Sequence, residues 1–166
     1  MLARILAKTT PHGADTAAAM YQRTYGAKYG QTNGLSAAGI AALVRADIRL
    51  ALKVAKAFPA PGAVAVADPF ATFPKGLKIT VRKDTFSGGR SIDIIVRNIP
   101  AEWGWTQETD PWGDPREVPT PALSALAREL KAILQAYNYD GSDRLTDYYD
   151  VNFYGHVTTE CGLTLA

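Results

Sequence analysis

Four carboxylates, Asp140, Asp143, Asp147 and Asp150, crowd one stretch near the end of the sequence. Clustered carboxylates can hold Mg²⁺ or Ca²⁺, or work as an acid/base pair. Their spacing does not fit an EF-hand, which needs alternating oxygen ligands closed by a glutamate. Capping, turn hydrogen bonds and pairing with basic residues account for them more simply. His12 and His156 are the only histidines and Cys161 the only cysteine, too few for a typical structural zinc site. His156 and Cys161 could form a nucleophilic pair, but the sequence has no nucleophile elbow, dinucleotide fingerprint or HExxH motif. The expectation is a protein with no catalytic residue, metal or cofactor. An enzyme acting through the Asp140–Asp150 cluster is the secondary reading.

Binding chemistry is better represented. Trp103, Trp105 and Trp112 fall together between Pro100 and Pro121, and tryptophan is enriched at binding hot spots. One ring at least should be buried to hold this long, irregular stretch down, and one partly exposed. Charge is also unevenly distributed. Residues 1–97 carry 14 Lys/Arg against 5 Asp/Glu, and residues 98–166 carry 4 against 11. A basic half can track phosphates and an acidic half can occupy a partner's nucleic-acid groove. The plainer reading has the halves neutralising each other within the fold. Aromatic and basic residues also interleave in Tyr21, Arg23, Tyr25, Lys28 and Tyr29, either as a gripping arm or as a flexible one lying on the domain.

The elements that must position these residues follow from periodicity. Ser36 caps a helix expected over 37–58, with Ile40, Val44, Ile48, Ala51, Leu52 and Ala55 on one apolar stripe. Arg45, Arg49, Lys53 and Lys56 line up away from it, either as a phosphate-following stripe or as a solvated face. Phe58-Pro59 ends the helix. A proline-rich connector follows, with a short apolar island at Val64–Val66. Leu77, Ile79 and Val81 then alternate with Lys78, Thr80 and Arg82, while Ile92, Ile94 and Val96 alternate with Ser91, Asp93, Ile95 and Arg97. This is a hairpin with Lys78, Arg82, Asp93 and Arg97 on its outer face, turned at positive φ by Gly88-Gly89. The Gly-Gly-Arg-Ser tip could offer N–H groups to an anion, although it lacks P-loop spacing. Thr120-Pro121 opens a second helix whose apolar side runs from Leu123 to Tyr137, and Tyr149–Val157 reads as a closing strand.

These elements predict an α+β fold: an antiparallel sheet around a central β-hairpin, with two main helices on one face. Residues 1–34 form a weakly structured N-terminal arm and 35–166 one domain. Hydrophobic content of 47% suits a globular chain. The first residues have too short an apolar run for a signal sequence, and no stretch reaches the roughly 18 apolar residues of a membrane span. A cytoplasmic location and no membrane partner are therefore expected.

Two segments resemble a known pattern. Arg45, Phe58-Pro59, Val81-Arg82, Ser87-Gly88-Gly89 and Ser91-Ile92-Asp93 match the helix–hairpin core of a small α+β domain. That domain is associated with large polyvalent proteins of phages and conjugative plasmids. The tail matches the same domain through Asn138, Ser142-Asp143, Asp147-Tyr148 and Phe153-Tyr154. The resemblance covers about half the chain. It departs from the pattern where residues 60–76 separate Phe-Pro from the hairpin, and the tryptophan stretch has no counterpart. It implies a mobile-element accessory protein without catalytic residues, of the kind that blocks host defence, CRISPR effectors included. The expected partner is a host defence protein or ribonucleoprotein complex in the bacterial cytoplasm. Trp103, Trp105, Trp112, Asp140, Asp143, Asp147, Tyr148 and Asp150 are its expected contacts. The alternative is a DNA- or RNA-binding accessory protein using Arg45, Arg49, Lys53, Lys56, Lys78, Arg82 and Arg97.

Overall fold

A computed structural model describes residues 23–57, 68–72, 74–142 and 148–166. The fold is α+β. Its elements in chain order are β1 (Thr24–Tyr25), a 3-10 turn (Tyr29–Thr32), α1 (Ala37–Ala57), β2 (Lys78–Phe86), β3 (Gly89–Arg97), the short α2 (Ala101–Gly104), β4 (Trp105–Thr109), β5 (Pro115–Pro119), α3 (Pro121–Gln135), β6 (Tyr139–Asp140) and β7 (Tyr154–Thr159).

The central hairpin forms with Lys78 opposite Arg97 and Phe86 opposite Gly89. Its two-residue loop is therefore Ser87-Gly88, and of the two glycines expected at positive φ only Gly89 has it, at +146°. β3 is the middle strand of a three-stranded sheet ordered β2-β3-β7. β7 runs parallel to β3, Ile94 opposite Val157, so the sheet is mixed rather than wholly antiparallel as expected. A parallel neighbour needs a long crossover, and residues 98–153, carrying α3, supply it.

Ile92, Ile94, Val96, Val81 and Val157 point to one face of the sheet. There they meet Ile40, Val44 and Ile48 of α1 and Leu126, Leu130 and Leu134 of α3. Both main helices lie on this face, as their apolar stripes require. Thr120 caps α3, its Oγ1 accepting from Leu123 N at 3.2 Å, with Pro121 at the first helical position. Tyr137 and Phe153 close the end of the core. The buried Asn138 fixes the closing segment: its amide donates to Phe153 O (2.9 Å) and accepts from Phe153 N (3.1 Å).

Residues 23–34 are bonded onto the domain. β1 pairs with β6, and Gly26 N donates to Asn138 O at 2.8 Å. A Cβ on Gly26 would sit 2.2 Å from Gln135 O and 2.4 Å from Ala136 O. Both are backbone atoms at the end of α3 and cannot swing aside. Gly26→Ala should therefore destabilise the fold by about 3 kcal/mol, read as a lowered midpoint in denaturant. A midpoint equal to wild type would show that this close approach is not kept in solution.

Among the described residues, no helix is long and apolar enough to cross a membrane.

Candidate functional site

The stretch expected to be irregular is built. β4 and β5 pair from Trp105–Pro119 to Thr109–Pro115 and form a second hairpin. Its base is clamped: Thr120 N donates to Gly104 O at 2.9 Å, and Thr120 Oγ1 donates to Trp103 O at 2.6 Å. Trp103 is half-buried against the core, while Trp105 and Val118 are half-buried at the base. None of the three tryptophans is buried, contrary to expectation. Outward from that base both strands are exposed on both faces. An isolated two-stranded hairpin is marginal in water, so this arm depends on its anchored base and on the cross-linking of its tip.

The tip is tightly bonded. Asp110 Oδ1 accepts from Trp112 N and Asp114 N, both at 2.9 Å. Asp110 N donates to Asp114 O, and Gly113 N to Asp110 O. This bracing holds up Trp112, which is 84% exposed. The arm carries Glu108, Asp110, Asp114 and Glu117, with Arg116 its only cation. Among the described residues, the indole at the end of this acidic ribbon is the most exposed large hydrophobic side chain.

The carboxylate cluster divides. Asp143 and Asp147 lie outside the described residues. Asp140 is spent on its own turn, accepting from Ser142 N at 2.9 Å. Asp150 accepts from the Tyr139 hydroxyl and faces Arg23, Nη2 to Oδ2 2.9 Å, as an ion pair without hydrogen-bond alignment. Tyr148 is exposed beside this corner. Among the described residues no three of His, Cys, Asp and Glu converge as a metal site would need.

The Asp150 bond also shifts a titration. It pushes the Tyr139 hydroxyl up to about 12, with burial and the charge of Asp150 adding to it. Tyr137 is raised further, first by burial and then by its hydrogen bond to Asp47. Both phenols ionise near 10 when unfolded, so the stability they give is complete below about pH 10 and drains away as the pH rises through about 12. Chemical denaturation between those limits should show this loss. Tyr139→Phe should flatten it only in part, because Tyr137 remains. An unchanged slope would contradict the Tyr139–Asp150 bond.

Among the described residues one ion pair, Arg23–Asp150, joins the basic half to the acidic half. Among the described residues the ion pairs are Arg23–Asp150, Lys28–Asp47 and His156–Asp93. None of Arg45, Arg49, Lys53, Lys56, Lys78, Arg82 and Arg97 is in one. Arg45 nonetheless departs from the expected stripe: its Nη2 donates to Val81 O at 2.7 Å, tying α1 to the edge of β2. A groove of about 280 Å³ runs there, floored by Ile48, Leu52 and Leu77 with Arg45 and Arg49 at its rim. Arg49, Lys53 and Lys56 are exposed on α1. Lys78, Arg82 and Arg97 share the face of the sheet opposite Val81 and Ile94.

On that face Ser91 Oγ donates to Asp93 Oδ2 (3.2 Å), and His156 Nδ1 lies 3.1 Å from Asp93 Oδ1. Serine and histidine both bond the carboxylate and not each other, so this trio lacks the serine–base contact of a nucleophilic triad. The Gly-Gly-Arg-Ser tip is structural. Arg90 Nη1 donates to Leu35 O (2.7 Å), Nε to Asn152 O (2.9 Å) and Nη2 to the Asn152 side chain. Sequence reasoning missed this clamp, the acidic composition of the arm, and the pairing of Phe86 with Tyr154 at 5.9 Å between ring centroids. Only the arm left a signal that could have been read: Asp-Pro-Trp-Gly-Asp at 110–114 is turn chemistry.

No known family, curated protein or solved structure matches the chain.

Proposed function

We propose that this is a non-enzymatic accessory protein of a phage or other mobile element that binds and inhibits a host nucleic-acid-handling defence complex. Its acidic, tryptophan-tipped arm is the contacting element. One observation carries the reading: Trp112, the most exposed large hydrophobic side chain among the described residues, is braced at the end of a carboxylate-bearing ribbon. A solvent-exposed indole of this kind buys no stability for the isolated fold. In a basic channel that normally holds nucleic acid, the carboxylates replace phosphates and the ring fills an apolar or aromatic pocket. The resemblance of the hairpin and tail to mobile-element domains supports the choice of a defence complex as target.

Asp140, Tyr148 and Asp150 have a smaller part in this reading, since Asp140 and Asp150 are engaged within the fold. The test is to express the tagged chain in bacteria that each carry one nuclease-based defence system. Its co-purification with the effector and the recovery of phage plaques are the two readouts. A chain that joins no effector and restores no plaques on any strain overturns the proposal.

A further inference from the structure

The three-stranded sheet has a second face, opposite α1 and α3, whose middle is closed, Ile95 being only 8% exposed, and whose turn end is open. Its side chains follow from register. Lys78 lies beside Arg97, Thr80 beside Ile95, Arg82 beside Asp93 and Asp84 beside Ser91, with Phe86 and Gly89 at the turn. β7 adds Tyr154, His156 and Thr158.

Two features divide this face. At the turn end, Phe86 and Tyr154 form a tilted aromatic pair, and Phe86 is 47% exposed. A Cβ on Gly89 would lie 3.3 Å from the Tyr154 ring, so glycine there lets the ring lie against the backbone. At the other end stand Lys78, Arg82 and Arg97, none with a carboxylate within ion-pair distance among the described residues. Arg97 Nε is buried without a hydrogen-bond acceptor there. The opposing charges are Asp84, bonded to Thr85 N, and Asp93, bonded to Ser91 and His156.

We propose that this face is a platform for single-stranded nucleic acid. Aromatic rings that present a face from an open sheet stack on unpaired bases, and flanking cations hold the backbone. Lys78 and Phe86 are eight residues apart along one strand, about 26 Å at 3.3 Å per residue, which accommodates roughly four nucleotides. A duplex keeps its bases stacked internally and offers nothing to Phe86 and Tyr154. An acidic peptide satisfies the cations but has no planar base for the rings.

The experiment uses the full chain and labelled oligo-dT, oligo-U, a duplex of equal length and poly-glutamate, followed by anisotropy at about 50 and 200 mM salt. Single strands should bind more tightly than duplex and poly-glutamate. The relative strength of oligo-dT and oligo-U says whether DNA or RNA is the ligand. Phe86→Ala and Tyr154→Ala should each weaken single-strand binding about 5- to 150-fold. Phe86→Leu keeps the apolar cover over the turn and should lose as much. Arg82→Ala should lower the salt slope by about one. Trp112→Ala should leave all of this unchanged, separating the platform from the arm. No single-strand binding, equal or tighter binding of duplex or poly-glutamate, or wild-type binding by Phe86→Leu would each overturn the proposal.

Discussion

Trp112→Ala is expected to weaken binding to the target complex by about 30-fold or more, with no measurable change in thermal stability. The expected loss is that of a hot-spot aromatic, about 2 kcal/mol or more when its ring is removed from a desolvated pocket. Stability should be untouched because the ring contributes nothing to the core, and surface substitutions of this type stay within about 0.5 kcal/mol. The tip itself should survive, since its hydrogen bonds run through Asp110 and the backbone rather than the indole. The two readouts, affinity by titration and melting by circular dichroism, therefore move independently. A variant that binds as wild type would remove the arm from the interface. A variant that melts early would mean that the ring is packed in solution.

Arg90→Met is expected to give the opposite pattern, a loss of about 3–5 kcal/mol of stability, near 10 °C in melting temperature for a chain of this length. The guanidinium joins three elements: the turn side of the hairpin, Leu35 before α1 and Asn152 before β7. Asn152 in turn donates to Thr32 Oγ1 and Tyr137 O. Removing the cation orphans two backbone carbonyls in a part-buried setting, and each charged hydrogen bond lost costs about 1.5–3 kcal/mol. Arg90→Lys should recover only a fraction, because an ammonium lacks the planar fork that spans these acceptors. A melting curve unchanged by Arg90→Met would contradict the clamp.

The parts of the fold legible in the sequence are those written in periodicity. The α1 stripe, the alternation of Ile79 and Val81 with charged neighbours, and Thr120-Pro121 before α3 each signal one element, and each is there. The parallel placement of β7 was not legible, because alternation gives a strand's faces and not its direction. β4 and β5 were missed for a different reason: both faces of that ribbon are in water, so no apolar set recurs every second residue. The Arg90 clamp was not legible, since the chain positions of its partners, Leu35 and Asn152, carry no mark of their convergence. The charge split was visible, and the described ion pairs do not cancel it. Of the candidate contacts, Trp112 stands exposed at a built tip, whereas Arg45, Asp140 and Asp150 are drawn into the fold.

The central proposal is that the arm inhibits the captured effector. Its most direct measurement is nuclease activity of the purified effector titrated with wild-type protein, with Trp112→Ala, and with the charge reversal Glu108→Lys/Glu117→Lys. Wild type should abolish cleavage near equimolar ratio, and both variants should need at least about 30-fold more protein, with inhibition by wild type weakening as salt is raised. Equal inhibition by all three proteins, or inhibition indifferent to salt, would contradict an acidic, tryptophan-tipped arm seated in a basic groove.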